Sequence, residues 1–274
     1  MSLFGYRMLS SVGRVSDPDA ATHIARLTST DPNLERDINN LVLNLKAYGV
    51  WDILDDLCVI HKNVADSLLG IKGFADSTKV ESGTATITYS STLGLNCSQD
   101  GAGNYAYINT NLDSLVGSSN MATDDMSIFA FRTAESNGVV GANGFMGSWN
   151  SANDDGTVLK GNTSSPIVSF FGGSDASAIV SLVESADSFI GGTRTGASAI
   201  EIRHDGSTAT DTDASTGGAA TYDMLVGCYN LNGTAFFPPG DHDFAAWGAG
   251  GGLTSQQLSD LRTSIQTYMN SRGV

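Results

Sequence analysis

The stretch GSWNSANDD, Gly147 to Asp155, sets an indole beside a run of amide and carboxylate groups. Sugars are held by such combinations, with an aromatic ring against the apolar face of a pyranose and placed polar groups on its hydroxyls. Trp149, Asn150, Asn153 and Asp154 are therefore the candidate glycan-binding residues. The competing expectation is structural, because a tryptophan at a strand end gains roughly 1.5–3 kcal/mol by packing into the core.

Catalytic chemistry finds less to work with. The chain has no G-x-S-x-G elbow, no phosphate-binding P-loop and no dinucleotide fingerprint flanked by a strand and a helix. Gly141 to Gly147, GANGFMG, is spaced like a glycine loop but falls in a β-rich region and reads as a turn. Histidines 23, 61, 204 and 242 are far apart, and none has a second histidine at zinc-ligand spacing. His242, between Asp241 and Asp243 after FFPPG, is the most site-like and reads as a loop histidine in an acidic turn. Oxygen donors cluster at Asn153–Gly156 and again at His204–Asp213, but neither cluster has the spacing of an EF-hand loop. A loop-bound calcium is the one cofactor those clusters could hold, and solvated turns are the expectation. No catalytic residue and no metal ligand is assigned.

Charge narrows the partners. The formal net charge is -15, and only five of the acidic residues are glutamates. Aspartate favours turns and caps, because its short side chain bonds nearby backbone N–H groups. An acidic surface disfavours phosphate, so nucleic acid is not an expected partner. Cys58, Cys97 and Cys228 form no CxxC pair and read as buried thiols of a chain folded in a reducing cytoplasm. Gly5, Arg7 and Ser10 interrupt the first apolar stretch, and no apolar run approaches the 18 residues of a membrane helix, so no secretory segment and no membrane insertion are expected.

These residues need a scaffold, and the chain divides into three parts. Residues 1–30 carry three arginines against two aspartates, a slightly basic arm on an acidic body. Phe4, Tyr6, Arg7 and Arg14 are its candidate docking residues, toward other proteins or a second copy of the chain. Residues 31–57 form a helical segment: Asp31 caps, Pro32 suits the first turn, Leu34, Ile38, Leu41, Val42, Leu45 and Tyr48 share a face, and Gly49 ends the helix. A short turn with Trp51, Leu54 and Leu57 inward should follow, and CVIH, Cys58 to His61, should be the first strand.

Residues 58–274 read as a mainly β unit, a two-sheet antiparallel jelly-roll sandwich closed by a C-terminal amphipathic helix over 254–271. Its strands include YAYINT at 105–110, MSIFAFRT at 126–133, GFMGSW at 144–149 and DFAAWGA at 243–249, separated by Gly, Asn, Asp and Ser. The imperfect alternation in MSIFAFRT suits a strand covered on both faces. Thr254 and Gln257 form a T-x-x-Q capping box, and Leu253 and Leu258 a hydrophobic staple. At 274 residues the chain can bury roughly three quarters of its unfolded surface without disulfide or metal.

The order of LKAYGVWDILDDLCVI, ADSLLGIKG, glycine-punctuated strands and FAAWGAGGGLTSQQLSDLRTSIQTYM resembles the concanavalin A-like lectin/glucanase, or laminin-G-like, sandwiches of tailed-bacteriophage virion structural proteins. The resemblance spans roughly residues 34–270. It implies a surface-displayed, lectin-like virion protein, a capsid decoration or a tail or fibre tip, folded in the host cytoplasm before assembly. Its implied partners are other virion proteins, further copies of itself and host-surface glycans. Glucanase relatives carry E-x-D-x-x-E on a strand, and Glu201 in AIEIRHDG has no partner carboxylate at that spacing, so the fold carries over without the enzyme. A purely structural cement protein is the alternative, and a polysaccharide-degrading enzyme a more distant one.

Overall fold

The computed structural model describes residues 15–73, 75–100, 102–113, 120–136, 144–151, 155–162, 165–172, 179–183, 188–212, 222–236 and 241–274. Helices come where local signals are strongest. Asp17 caps α1 (Pro18–Ile24) by accepting from the Asp19 and Ala20 N–H groups. Asp31 caps α2 (Pro32–Ala47) through the Asn33 and Leu34 N–H groups, and Gly49 takes the left-handed conformation just past its end, at φ +67°. Tyr48, expected on the apolar face of α2, is its C-cap and is exposed, because the helix has ended there. Among the described residues, the elements between the single turn α3 (Val64–Ser67) and α4 (Ser255–Arg272) are strands.

The first strand, β1 (Leu54–Val59), begins four residues before the expected Cys58. Asp55 and Asp56 break the apolar pattern there, yet both are buried. The Asp55 carboxylate accepts from the backbone of Asn120 and Met121, partners far away in the sequence.

Two sheets make the sandwich, and among the described residues every strand pairing but one is antiparallel. The first sheet runs β13 (Ser207–Asp211), β12 (Ala199–His204), β11 (Ser188–Gly196), β6 (Met126–Ser136), β17 (Asp241–Gly250), β4 (Gly94–Cys97), β3 (Ile87–Ser90). β1 lies along the second half of β17, on the edge whose first half pairs with β4. The second sheet runs β10 (Ile179–Val183), β9 (Ser165–Gly172), β8 (Asp155–Asn162), β7 (Gly144–Asn150), β14 (Asp223–Val226), β5 (Tyr107–Asp113), β2 (Thr78–Val80). A hairpin of β15 (Tyr229–Leu231) and β16 (Thr234–Phe236) joins it where β15 runs parallel to the end of β7.

The first sheet is the middle layer. On one side the Thr157 hydroxyl of β8 reaches Met126 Sδ of β6 at 3.0 Å, across the sandwich. On the other, Phe129 stacks with Phe189 at 6.0 Å, and Leu258 of α4 closes over Gly191 beside it. Residues Met126 to Thr133 are accordingly buried throughout, as a strand covered on both faces must be. The capping box of α4 is formed in both directions, and Leu253 and Leu258 are both fully buried.

The helical flank is tied to the sandwich by polar bonds. Lys46 Nζ binds Asp17 at 2.8 Å and Asp19 at 2.6 Å, joining α2 to α1. His23 Nδ1 lies 3.0 Å from Gly70 O, so it carries the proton, because a carbonyl only accepts. His23 Nε2 then accepts from His61 Nε2 at 2.8 Å, and His61 Nδ1 lies 3.1 Å from the Tyr268 hydroxyl of α4. One buried chain of neutral groups thus links α1, the segment after β1, and α4. Burial pushes the pKa of His23 down to about 4 and that of His61 down to about 3.

Candidate functional site

Register builds a patch on the outer face of the second sheet. Trp149 pairs with Gly156, Val158 pairs with Phe171, and Lys160 pairs with Ser169 and Gly144. Side chains alternate along a strand, so Trp149, Gly156, Val158, Lys160 and Phe171 share the face opposite to Thr157, which points into the sandwich.

Gly156 lets the indole lie down. A Cβ at that position would stand 2.1 Å from Trp149 Cε3, so only glycine leaves room for the ring against the sheet. Trp149 is half-buried. Phe171 meets the indole edge-on, at 5.7 Å and 89° between ring planes. Lys160 places its ammonium 4.1 Å from the centre of the Phe171 ring. Burial alone lowers the Lys160 pKa from its usual range.

The end of β7 is clamped from the side by the β15–β16 turn. Asn232 N donates to Trp149 O at 2.9 Å, Ser151 N donates to Asn232 Oδ1 at 2.8 Å, and Asn232 Nδ2 donates to the Ser151 hydroxyl at 2.7 Å. Further along the same sheet Tyr229 lies over Gly144, where a Cβ would come within 2.7 Å of Tyr229 Cδ1. Phe236 packs beside Tyr229 at 5.4 Å and is 47% exposed. Phe171 and Val158 are themselves buried, so among the described residues this face presents the half-buried Trp149, Lys160 and Tyr229 and the exposed Phe236. That surface can stack a ring and neutralise an anion.

Of the glycan candidates, Trp149 and Asn150 lie together at the end of β7, and Asn150 is half-buried. Asn153 and Asp154 lie outside the described residues, as do the arm candidates Phe4, Tyr6, Arg7 and Arg14. Lys160, Phe171, Tyr229 and Phe236 were not anticipated. The alternation in TVLKG and SFFG assigns Lys160 and Phe171 to one face of their strands, but only the register brings them to Trp149.

The other candidates have structural partners. His242 is a buried strand residue of β17 and not a loop histidine, edge-on to Phe145 at 5.5 Å and near Phe244 at 6.1 Å. It pairs with Cys97 and Glu135, because β17 continues two residues beyond the apolar run that marks it in the sequence. The run from His204 is the turn of the β12–β13 hairpin, with Asp205 at φ +51°. Its carboxylate accepts from Phe189 N at 3.3 Å and lies 3.8 Å from Arg262. Cys58, Cys97 and Cys228 are free and buried, and burial pushes all three thiols up, away from the reactive thiolate.

Comparison with known proteins places the fold. No family model matches the chain, and no curated protein sequence does. Solved structures do. The binding domain of botulinum neurotoxin DC in complex with rat synaptotagmin II superposes with a TM-score of 0.56 at 10% identity, over 78% of this chain and 52% of that one. A botulinum neurotoxin type C structure, described by its dependence on two ganglioside molecules for cell entry, gives 0.56 at 11% identity over 80% and 53%. The neurotoxin DC binding domain in complex with SialylT gives 0.53 at 9% identity over 77% and 52%. The chain thus spans about half the length of these structures, and at such identity the likeness is one of fold.

Proposed function

We propose that this chain is a non-enzymatic, lectin-like binding module that attaches its carrier to surface glycans. The observation that carries the reading is Trp149, half-buried on the outer face of the sheet, its indole laid on Gly156 and held by Phe171 and the Asn232 clamp. A fixed ring binds a sugar face without losing side-chain freedom on binding. The matched structures lend support, since their descriptions name gangliosides, SialylT and a protein receptor as what those domains meet.

The carrier in this proposal is a bacteriophage virion, with the module as capsid decoration or at a tail or fibre tip. It folds in the host cytoplasm and assembles with other virion proteins and with copies of itself. That part rests on the sequence resemblance of the two ends of the chain. Immunogold labelling of particles with antibody to this chain should mark heads or tails, and unlabelled particles would refute it.

The glycan reading is tested on an array of host-surface oligosaccharides. The wild-type protein should bind a defined subset. Trp149→Ala should lower affinity at least tenfold, and Gly156→Val, which lifts the indole off the sheet, should do the same. If the wild-type protein binds nothing on the array, the module is a structural cement.

A further inference from the structure

Lys160 is the odd one among the lysines. Lys46, Lys62 and Lys79 each form an ion pair with a carboxylate, and Lys72 donates to the Trp51 carbonyl. Among the described residues Lys160 has neither. Among the described residues its close partner is the ring of Phe171, at 4.1 Å. A half-buried ammonium has lost much of its water and gains most from an anion brought to it in the same low-dielectric surroundings.

The neighbourhood says what else that anion carries. Phe171 stands between the ammonium and the indole, 4.1 Å from one and 5.7 Å from the other. Those two distances bound the separation of Lys160 from Trp149, within reach of one sugar ring and its substituent. Tyr229 lies over Gly144, the residue that pairs with Lys160 in the neighbouring strand. A phosphate-rich polymer would meet the charge of -15 unfavourably, whereas one carboxylate on an otherwise neutral sugar needs only the one cation present.

We propose that this face selects saccharides bearing a carboxylate, stacking the sugar ring on Trp149 and taking the carboxylate with Lys160. The proposal rests on the glycan reading of Trp149 and goes beyond it in naming the ligand class. No covalent step is involved.

The test is calorimetric titration of the full chain with two pairs of probes, sialyllactose beside lactose and a uronic-acid trisaccharide beside its carboxyl-reduced form. At least one acidic member should bind tenfold or more tightly than its neutral counterpart, and its affinity should fall as salt is raised from 0.05 to 0.5 M, on the order of the screening expected for one ion pair. Which pair responds identifies the acid. Lys160→Met should bring the acidic member level with the neutral one, and Lys160→Arg, which keeps the charge if the methionine variant fails to fold, should retain most of the preference. Equal binding of acidic and neutral members, with Lys160→Met silent and Trp149→Ala damaging, would overturn the acidic ligand and leave the glycan reading standing. Absence of binding to all four probes and to the array would remove both.

Discussion

The helical flank and the outer face of the second sheet use their polar groups in opposite ways. On the flank, Lys46 is held by two aspartates, Lys62 by Asp31, and His23 by Gly70 and His61, so each group finds its partner inside the chain. On the sheet face Lys160 has a ring for a neighbour, the indole of Trp149 is half open, and Phe236 stands out in solvent. A surface that satisfies itself contributes to stability. The sheet face differs in that, among the described residues, its cation lies against a ring and has no carboxylate beside it, which is what the proposed binding reading draws on.

The comparison can be broken most directly by truncation on each side. Leu261 is fully buried on α4, and Leu261→Ala should cost about 2–5 kcal/mol of stability through lost burial and the cavity left behind. Urea unfolding should show that loss while the folded fraction keeps its sugar affinity. Trp149→Ala should do the reverse, costing about 1–2 kcal/mol or less and losing its affinity. A Trp149 variant as destabilised as Leu261→Ala would mean the indole is a core residue and the two regions do not differ.

Acid probes the flank alone. Burial holds the folded-state pKa of His23 down to about 4, below the usual 6.5, so between those values the unfolded chain binds the proton and the folded chain does not. The stabilising term is therefore complete above pH 6.5 and is lost as pH falls toward 4, with a ceiling of about 3 kcal/mol for one such histidine. Arg26, Asp66 and Asp76 face His23, and Asp66 and Arg272 face His61, so the pair does not titrate in isolation. Unfolding free energies measured from pH 4.5 to 7.5 should rise with pH, and His23→Gln should flatten the rise. Hydrogen exchange should show α1 opening first on acidification, while the sheet-face strands keep their protection. An unchanged slope in His23→Gln would place the acid sensitivity elsewhere.

What the sequence discloses follows the reach of each signal. α2 and α4 are legible because caps, staple and apolar stripe lie within a few residues of one another. The start of β1 is not, because Asp55 is satisfied by the backbone of Asn120 and Met121, which no local pattern announces. Trp149 stands out by type and setting, but whether it is core or platform is decided by Gly156 across the hairpin and Phe171 two strands away. Lys160 carries no sequence signal at all. Its setting beside Phe171 and Trp149 comes from the strand register, and that requires the fold.

The smallest expected effect sharpens how the flank is joined. The Thr254 hydroxyl accepts from Gln257 N at 3.3 Å, and Gln257 Oε1 accepts from Thr254 N at 3.1 Å. Gln257 Nε2 also donates to Gly49 O at 3.1 Å, so the same side chain fastens the start of α4 to the end of α2. Thr254→Ala removes one half of the box and should cost about 0.5–2 kcal/mol, with Thr254→Ser recovering most of it. Gln257→Ala removes the other half and the bridge to Gly49, so it should cost at least as much, about 1–2 kcal/mol, although Gln257 is only half-buried. Guanidinium unfolding of the three variants ranks them. A silent Gln257→Ala beside a costly Thr254→Ala would show that the cap acts on α4 alone and that the two helices are joined by their apolar faces.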